Sequence, residues 1–434
     1  MPTASQDNLT AVSLADDDTD VFGTMESEVR SYCRYFPATF KSAKGAYLVA
    51  DDGTAYIDFF CGASSLNYGH NNEQIKKHLL SYLQEDGLMH ALDMYTTAKR
   101  DFLTRFRDVI LEPRGLSYKV QFCGPTGADA VEAALKLARK VTGRTGVIAF
   151  SGAYHGMSMG ALSATGSAGA RSGAGIPLYG TSFLPYESGP WGNFDSIDLL
   201  SKILSDPSSG VDRPAAVIVE PAQMEGGIYL ASDHWLRRLR EITSEYGVLL
   251  ILDEIQAGCG RTGTFFCFEQ AGIRPDLVTL SKSISGYGLP MSIVLMSPEL
   301  DIWQPGEHAG TFRGNQLAFV AAATALDFWE NPAFLAHLDD SARRLQEWGE
   351  NIGTANPALQ IRGRGMVLGI DFGAVGGPDR AAAVQQACFS NGLILERCGR
   401  ENEIIKIMPP LNVDNDVLET GLGILRSAIL GTAS

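Results

Sequence analysis

Apolar residues along this chain follow two alternating patterns, and the alternation predicts most of its elements. Short apolar, β-branched runs stand at Lys119–Phe122, Gly146–Phe150, Ala216–Glu220, Leu249–Asp253, Leu277–Leu280 and Ser292–Met296. Several are apolar throughout, as in strands covered on both faces. Between them apolar residues recur at helical spacing, as at Val131, Ala134, Leu135 and Ala138, and at Trp235, Leu236, Leu239 and Ile242. Strand and helix alternating from about Asn72 to Phe319 predicts an α/β unit with a mainly parallel sheet. Earlier, Tyr47–Phe60 alternates around Asp51-Asp52-Gly53, a hairpin signal.

After Phe319 the pattern changes to a long helical region reaching about Asn351. Strands are predicted at Met366–Phe372, Leu393–Glu396 and Ile404–Met408, with a helix near Ala381–Ser390 and another at the end. This reads as a smaller α+β domain. Residues 1–22 are rich in Ser, Thr and Asp without periodicity and read as a flexible arm. The division is then 1–22 arm, 23–71 N-terminal part of the small domain, 72–319 large domain, and 320–434 C-terminal part of the small domain.

Composition narrows the function classes. The chain has 434 residues, enough for one large or two associated domains. Its formal charge of −15 repels nucleic acid and anionic membrane, and no Lys/Arg run overrides that field. The longest apolar stretches, such as Val248–Leu252 and Ala215–Val219, fall far short of a ~20-residue membrane span. The N-terminal segment is polar, with the acidic run Asp16–Asp18, unlike a signal peptide. Seven scattered cysteines without a C-x-x-C suggest reduced thiols and a cytoplasmic location.

Candidate chemistry gathers at strand ends, where parallel sheets bind ligands. In Leu249–Gly263 an apolar run stops at Asp253-Glu254 and gives way to glycines. A second run, Leu277–Leu280, stops at Ser281-Lys282. Alone, the first is equally an ordinary strand end and the second a surface lysine. Together they sit one loop–helix unit apart, so both open on the same sheet edge. A partly desolvated lysine has its neutral amine favoured, as a Schiff-base nucleophile requires. A carboxylate beside it matches pyridoxal phosphate, whose pyridinium nitrogen it keeps protonated.

A phosphate needs a seat. Gly124-Pro125-Thr126-Gly127-Ala128-Asp129 follows a strand and opens a helix, whose N-terminus offers free N–H groups to an anion. The segment is not a P-loop, because no Gly-Lys-Ser/Thr follows. Phe150–Gly156 also follows a strand, and Tyr154 there either stacks on a ring or simply packs. No zinc-spaced His/Cys cluster and no Gly-x-Ser-x-Gly elbow is found.

The whole set resembles the class III, ω-amino aminotransferases of pyridoxal-phosphate fold type I. The resemblance is carried by Tyr154-His155-Gly156, Glu220-Pro221 with Glu225-Gly226-Gly227, Asp253-Glu254-Ile255-Gln256 with Gly260–Gly263, Ser281-Lys282, and Gly306-Glu307-His308 with Thr311. A narrower likeness is to the diaminobutyrate–2-oxoglutarate transaminase group of ectoine biosynthesis. It rests on Met25–Arg34, Leu66–Asn72, Leu92-Asp93-Met94 with Thr96–Arg100, Pro113–Leu116, Val141–Arg144 and Ser281–Pro290.

The resemblance implies a large pyridoxal-phosphate-binding domain with a mainly parallel central sheet, and a small domain built from both chain ends. By matching position it implies Lys282 as the Schiff-base lysine and proton shuttle, and Asp253 as partner of the ring nitrogen. Gln256 would reach the ring hydroxyl and Tyr154 would stack on the ring. Thr126, Gly127 and Ala128 would hold the phosphate, and Thr311 would come from a neighbouring subunit. That makes a homodimer, or a dimer of dimers, with a shared site. Glu225 matches the acid that in many relatives masks a carboxylate-binding arginine, and the arginine's own position holds Lys406. A K+ requirement is also implied.

Five residues depart from the ectoine-group pattern: Ala128-Asp129 for Thr-Asn, Glu254 for Asp, Met224 for Gly and Ala309 for Asn. The expected reaction moves the amino group of L-glutamate to the aldehyde of L-aspartate 4-semialdehyde, giving L-2,4-diaminobutyrate and 2-oxoglutarate. The alternatives are another class III ω-aminotransferase (ornithine, 4-aminobutyrate or a secondary-metabolite amine), or an aminomutase or decarboxylase on the same fold.

Overall fold

The computed structural model describes residues 20–192 and 194–432. The arm expected over residues 1–22 lies outside the described residues as far as 19, and Asp20–Met25 forms a short helix. The chain then lays down β1 (Phe40–Lys44), β2 (Tyr47–Ala50) and β3 (Ala55–Asp58). The hairpin expected around Asp52 is β2–β3, and β1 extends it as an antiparallel neighbour of β2.

The central part carries β4 (Lys119–Phe122), β5 (Val147–Phe150), β6 (Thr181–Leu184) and β7 (Ala216–Val219). A two-stranded excursion follows, β8 (Ala222–Gln223) and β9 (Tyr229–Leu230). Then come β10 (Leu249–Asp253), β11 (Leu277–Leu280) and β12 (Ile293–Met296). Seven of these form one sheet in the order β4-β12-β11-β10-β7-β5-β6. β12 runs antiparallel to both its neighbours, while β11, β10, β7, β5 and β6 are parallel.

The apolar runs form strands because both sheet faces are covered. Along them, alternate residues enter two different cores. Phe150, Val219, Leu250, Leu252, Val278 and Leu280 pack on one face, and Ala149, Ile218, Ile251 and Leu277 on the other. The second face is covered by the helix Gly127–Thr142, which buries Val131, Ala134, Leu135 and Ala138. Its start is fixed by a capping box between Thr126 and Asp129, and its end by Gly143 in the left-handed region.

The C-terminal part differs from expectation in two places. The long helical region expected to about Asn351 is divided into two helices, Gln316–Ala325 and Pro332–Ala355, joined by a tight 3₁₀ turn. Asn331 caps the second and Pro332 opens it, because proline lacks the N–H a continuing helix needs. After β13 (Gln360–Arg364) and β14 (Val367–Asp371), the strand expected at Leu393–Glu396 also divides. It becomes β15 (Leu393–Ile394) and β16 (Glu396–Cys398), followed by β17 (Ile404–Ile407). β15 joins β3 in parallel, whereas β16 pairs with β17 in a sheet ordered β13-β14-β17-β16. A third core unites both chain ends, with Ile57 and Phe59 against Leu368, Leu393, Ile405 and Leu422. Among the described residues no helix is long and apolar enough to cross a membrane.

Candidate active site

The carboxyl ends of β4, β5, β7, β10 and β11 open on one sheet edge. A cavity of about 430 Å³ lies there, lined by Thr126, Gly127, Ala128, Tyr154, Asp253, Gln256 and Lys282 among others. The structure thus brings seven of the sequence-predicted residues to one place. Glu225 and Lys406 form a pair beside it. Thr311 does not join them: it is exposed on a separate loop, where its carbonyl accepts a hydrogen bond from His90 Nε2 at 2.8 Å.

Asp253 is held from three sides. Its Oδ1 accepts from Thr279 Oγ1 at 3.0 Å and from the Ile255 N–H at 3.1 Å. Its Oδ2 lies 2.7 Å from His155 Nδ1. The carboxylate is buried, so its orientation is set by these partners rather than by solvent. His155 is buried as well, and among the described residues its Nε2 has no hydrogen-bond partner. His155 therefore aligns the acid, a positioning role that the sequence, offering only a histidine after a strand, did not separate from packing.

Lys282 opens a short 3₁₀ turn directly after β11, with φ +53° in the left-handed region that L residues seldom adopt. Burial holds its amine below the ordinary lysine range, against the pull of the Glu225 carboxylate. That favours the neutral amine, the nucleophilic form. Glu220, at the end of β7, lines the same cavity and accepts the Tyr154 N–H at 2.8 Å. Burial first, then the nearby Asp253 charge, pushes the Glu220 carboxyl well above the carboxylate range. In the sequence Glu220 stands out only as a motif position, although an acid ending an apolar strand was the available signal.

Lys406 on β17 is fully buried. Its Nζ lies 2.6 Å from Glu225 Oε1 and 2.9 Å from Glu396 Oε2. Burial alone would lower the Lys406 amine, but the two carboxylates outweigh it and hold it above the usual range. Burial would likewise raise Glu225, yet Lys406 and then Lys282 hold its carboxyl below its usual range. Gln256 touches the Glu225 carboxylate and donates from Nε2 to the Ala63 carbonyl at 3.2 Å. Glu396 was missed from sequence, where it merely ended a predicted strand. Tyr32, from the N-terminal segment, lies against the same cluster, and burial followed by the charges of Glu396 and Glu225 pushes its phenol up.

The sequence profile of the family "Aminotransferase class-III" matches residues 30–429. The chain belongs to that family. It is 52% identical over 417 residues to a diaminobutyrate–2-oxoglutarate transaminase of Nocardia farcinica, covering 95% of this chain and 94% of the relative. A relative of the same name in Halalkalibacterium halodurans is 50% identical over 414 residues, covering 95% and 96%. Among solved structures, an S-selective transaminase from an Arthrobacter species shares the fold with a TM-score of 0.85 at 23% identity, covering 95% of this chain and 97% of that one. A Toxoplasma gondii ornithine aminotransferase matches with a TM-score of 0.82 at 25% identity over 96% and 94% of the two chains, and carries PLP at partial occupancy in its active site.

The residues of this aminotransferase suit such a cofactor. A 16-residue helix points its N-terminus into the cavity from Gly127, giving an anion unpaired backbone N–H groups. A methyl group at Gly127 would come within 2.9 Å of Ile255 Cδ1, so the bare backbone leaves room that a side chain would fill. An aligned buried carboxylate, a desolvated lysine and an aromatic ring at Tyr154 complete a donor set matched to a phosphorylated pyridine aldehyde.

Proposed function

We propose that this enzyme transfers the amino group of L-glutamate to the aldehyde of L-aspartate 4-semialdehyde, giving L-2,4-diaminobutyrate and 2-oxoglutarate. The observation that carries the choice of substrate is the 47–52% identity to several enzymes of that name over nearly their whole length. When bound, pyridoxal phosphate supplies the aldehyde and the electron-withdrawing ring on which amino transfer depends.

The chain's own residues are assigned as follows. Lys282 Nζ is the attachment point for the aldehyde and the base that moves a proton at the reacting carbon. Asp253, aligned by His155, keeps a proton on the ring nitrogen. Thr126, Gly127 and Ala128 would seat the phosphate, Gln256 would serve the ring hydroxyl and Tyr154 would lie against the ring. Lys406 seats a carboxylate of glutamate once Glu225 gives way, and closes on Glu225 for the aldehyde substrate, which presents no carboxylate there.

The division at residues 72 and 320, a cytoplasmic location and a K+ requirement belong to the same proposal. So does a homodimer or dimer of dimers in which Thr311 reaches the neighbouring site, which accords with Thr311 lying outside its own cavity. The decisive experiment loads the purified enzyme with glutamate and screens aldehydes for return of the starting absorbance. Aspartate 4-semialdehyde should be the fastest acceptor, and preference for a different aldehyde would overturn the substrate assignment. Repeating turnover in K+ and in Na+ tests the cation, and sedimentation tests the assembly.

A further inference from the structure

We propose that Glu396 is a positioning residue that keeps the Lys406 ammonium in place while a substrate carboxylate displaces Glu225. This rests on the reading of Lys406 as a carboxylate seat given above. The two carboxylates that flank Lys406 are not equivalent. Glu396 stands directly opposite Lys406 in the antiparallel pair β16–β17, so the two side chains share one face of a sheet. Its side chain is only 8% exposed. Glu225 comes from the connection between β8 and β9, and its side chain is 28% exposed and touches Gln256, which lines the cavity. One carboxylate is fixed and the other has somewhere to go.

The contacts differ in kind too. Lys406 donates a hydrogen bond to Glu225 Oε1 at 2.6 Å. Glu396 Oε2 lies at a longer ion-pair distance, 2.9 Å from Lys406 Nζ, with the Tyr32 hydroxyl against the same carboxylate. Burial raises the Glu396 carboxyl, opposed by the charges of Lys406 and Lys282.

Charge alone does not explain why a second acid is present. Its field acts on Glu225 and on an incoming carboxylate at nearly the same place, so it cancels in the exchange of one for the other. What remains is position. Lysine is a point charge on a four-carbon arm, without the rigid fork that would let an arginine hold its own orientation. With Glu225 as its sole partner, the ammonium would follow that carboxylate outward and leave the substrate's carboxylate without a seat. Glu396 anchors the arm from the closed side.

The test uses the cofactor-loaded enzyme and glutarate, a dicarboxylate with no amine to react, with binding measured by calorimetry. Glu396→Leu removes the anchor, and Glu396→Asp keeps the charge but shortens its reach. Both should weaken glutarate roughly tenfold or more, while Glu225→Gln, which removes the competitor, should tighten it. In half-reactions both Glu396 variants should raise the ratio of apparent KM for glutamate to that for 2,4-diaminobutyrate, a split that general loosening of the fold would not produce. If Glu396→Leu fails to fold, Glu396→Asp carries the test alone. Wild-type affinity in Glu396→Asp, or tighter binding in either variant, overturns the anchoring role. Lys406→Ala separates the two levels. If it leaves glutarate binding unchanged, the carboxylate-seat reading itself fails. If it weakens binding while the Glu396 variants match wild type, only the anchoring role fails.

Discussion

His155 Nδ1 and Asp253 Oδ2 lie 2.7 Å apart, joining the ends of β5 and β10 inside the buried floor of the site. With Thr279 and the Ile255 N–H on its other oxygen, the Asp253 carboxylate has no freedom to rotate. A carboxylate fixed in this way favours a protonated ring nitrogen by opposite charge. Asp253→Asn should therefore still bind cofactor but slow proton removal from glutamate far beyond the ~10-fold that 1.4 kcal/mol represents. Stopped-flow half-reactions measure this directly, and a near-normal rate would refute the role. His155→Asn should give a smaller loss in the same step, with cofactor content retained.

The place of Lys282 after β11 makes a second prediction. Lys282→Ala should lose the visible absorbance of the bound cofactor together with multiple-turnover transamination. Borohydride reduction of the holoenzyme followed by peptide mapping should label Lys282; a label on another lysine would sink the assignment.

Lys406 offers an ammonium where the wider class offers an arginine. Lys406→Ala should raise the apparent KM for glutamate and 2-oxoglutarate more than that for the aldehyde. The loss in kcat/KM should be about 1.5–3 kcal/mol, the size of a charged hydrogen bond. Steady-state kinetics with each substrate varied in turn would show it. Equal glutamate KM in variant and wild type would leave Lys406 a structural ion pair.

Glu254, next to Asp253, is buried and accepts the N–H groups of Cys267 and Phe268 at 2.9 and 3.1 Å. Burial nevertheless raises its carboxyl to about 8. Between the ordinary value of 4.5 and 8 the folded chain keeps a proton that the unfolded chain has lost. Its contribution to stability is therefore complete below 4.5 and falls as pH rises to 8, by up to about 1.4 kcal/mol per pH unit. Glu254→Gln, which mimics the protonated acid, should gain on wild type in melting temperature as pH rises from 5.5 to 8. A constant difference across that range would show that Glu254 does not titrate there.

What could be read from sequence follows burial. β5, β7, β10 and β11 are buried at every residue or nearly so, and their unbroken apolar runs located them to within a residue or two. β6 escaped because it is an edge strand reading Thr-Ser-Phe-Leu, in which only Leu184 is buried. The break at Asn331-Pro332 was available as a helix-start signal, but the apolar periodicity on both sides masked it. Asp253 and Lys282 stood out because a charge ending an apolar run is conspicuous. Glu396 did not, because its meaning depends on Lys406 across the sheet, a relation that register creates and sequence order hides.

Leu395 is the only residue between β15, which belongs to the sheet of β3, and β16, which carries Glu396 opposite Lys406. One route to a new substrate range is to exchange the C-terminal third of the chain for that of a relative. Here such a graft, made to change which carboxylate is accepted, would bring a foreign β15 against the native β3. Crossover points inside this chain should keep residues 40–58 and 393–407 from the same parent, far apart as they are along the gene.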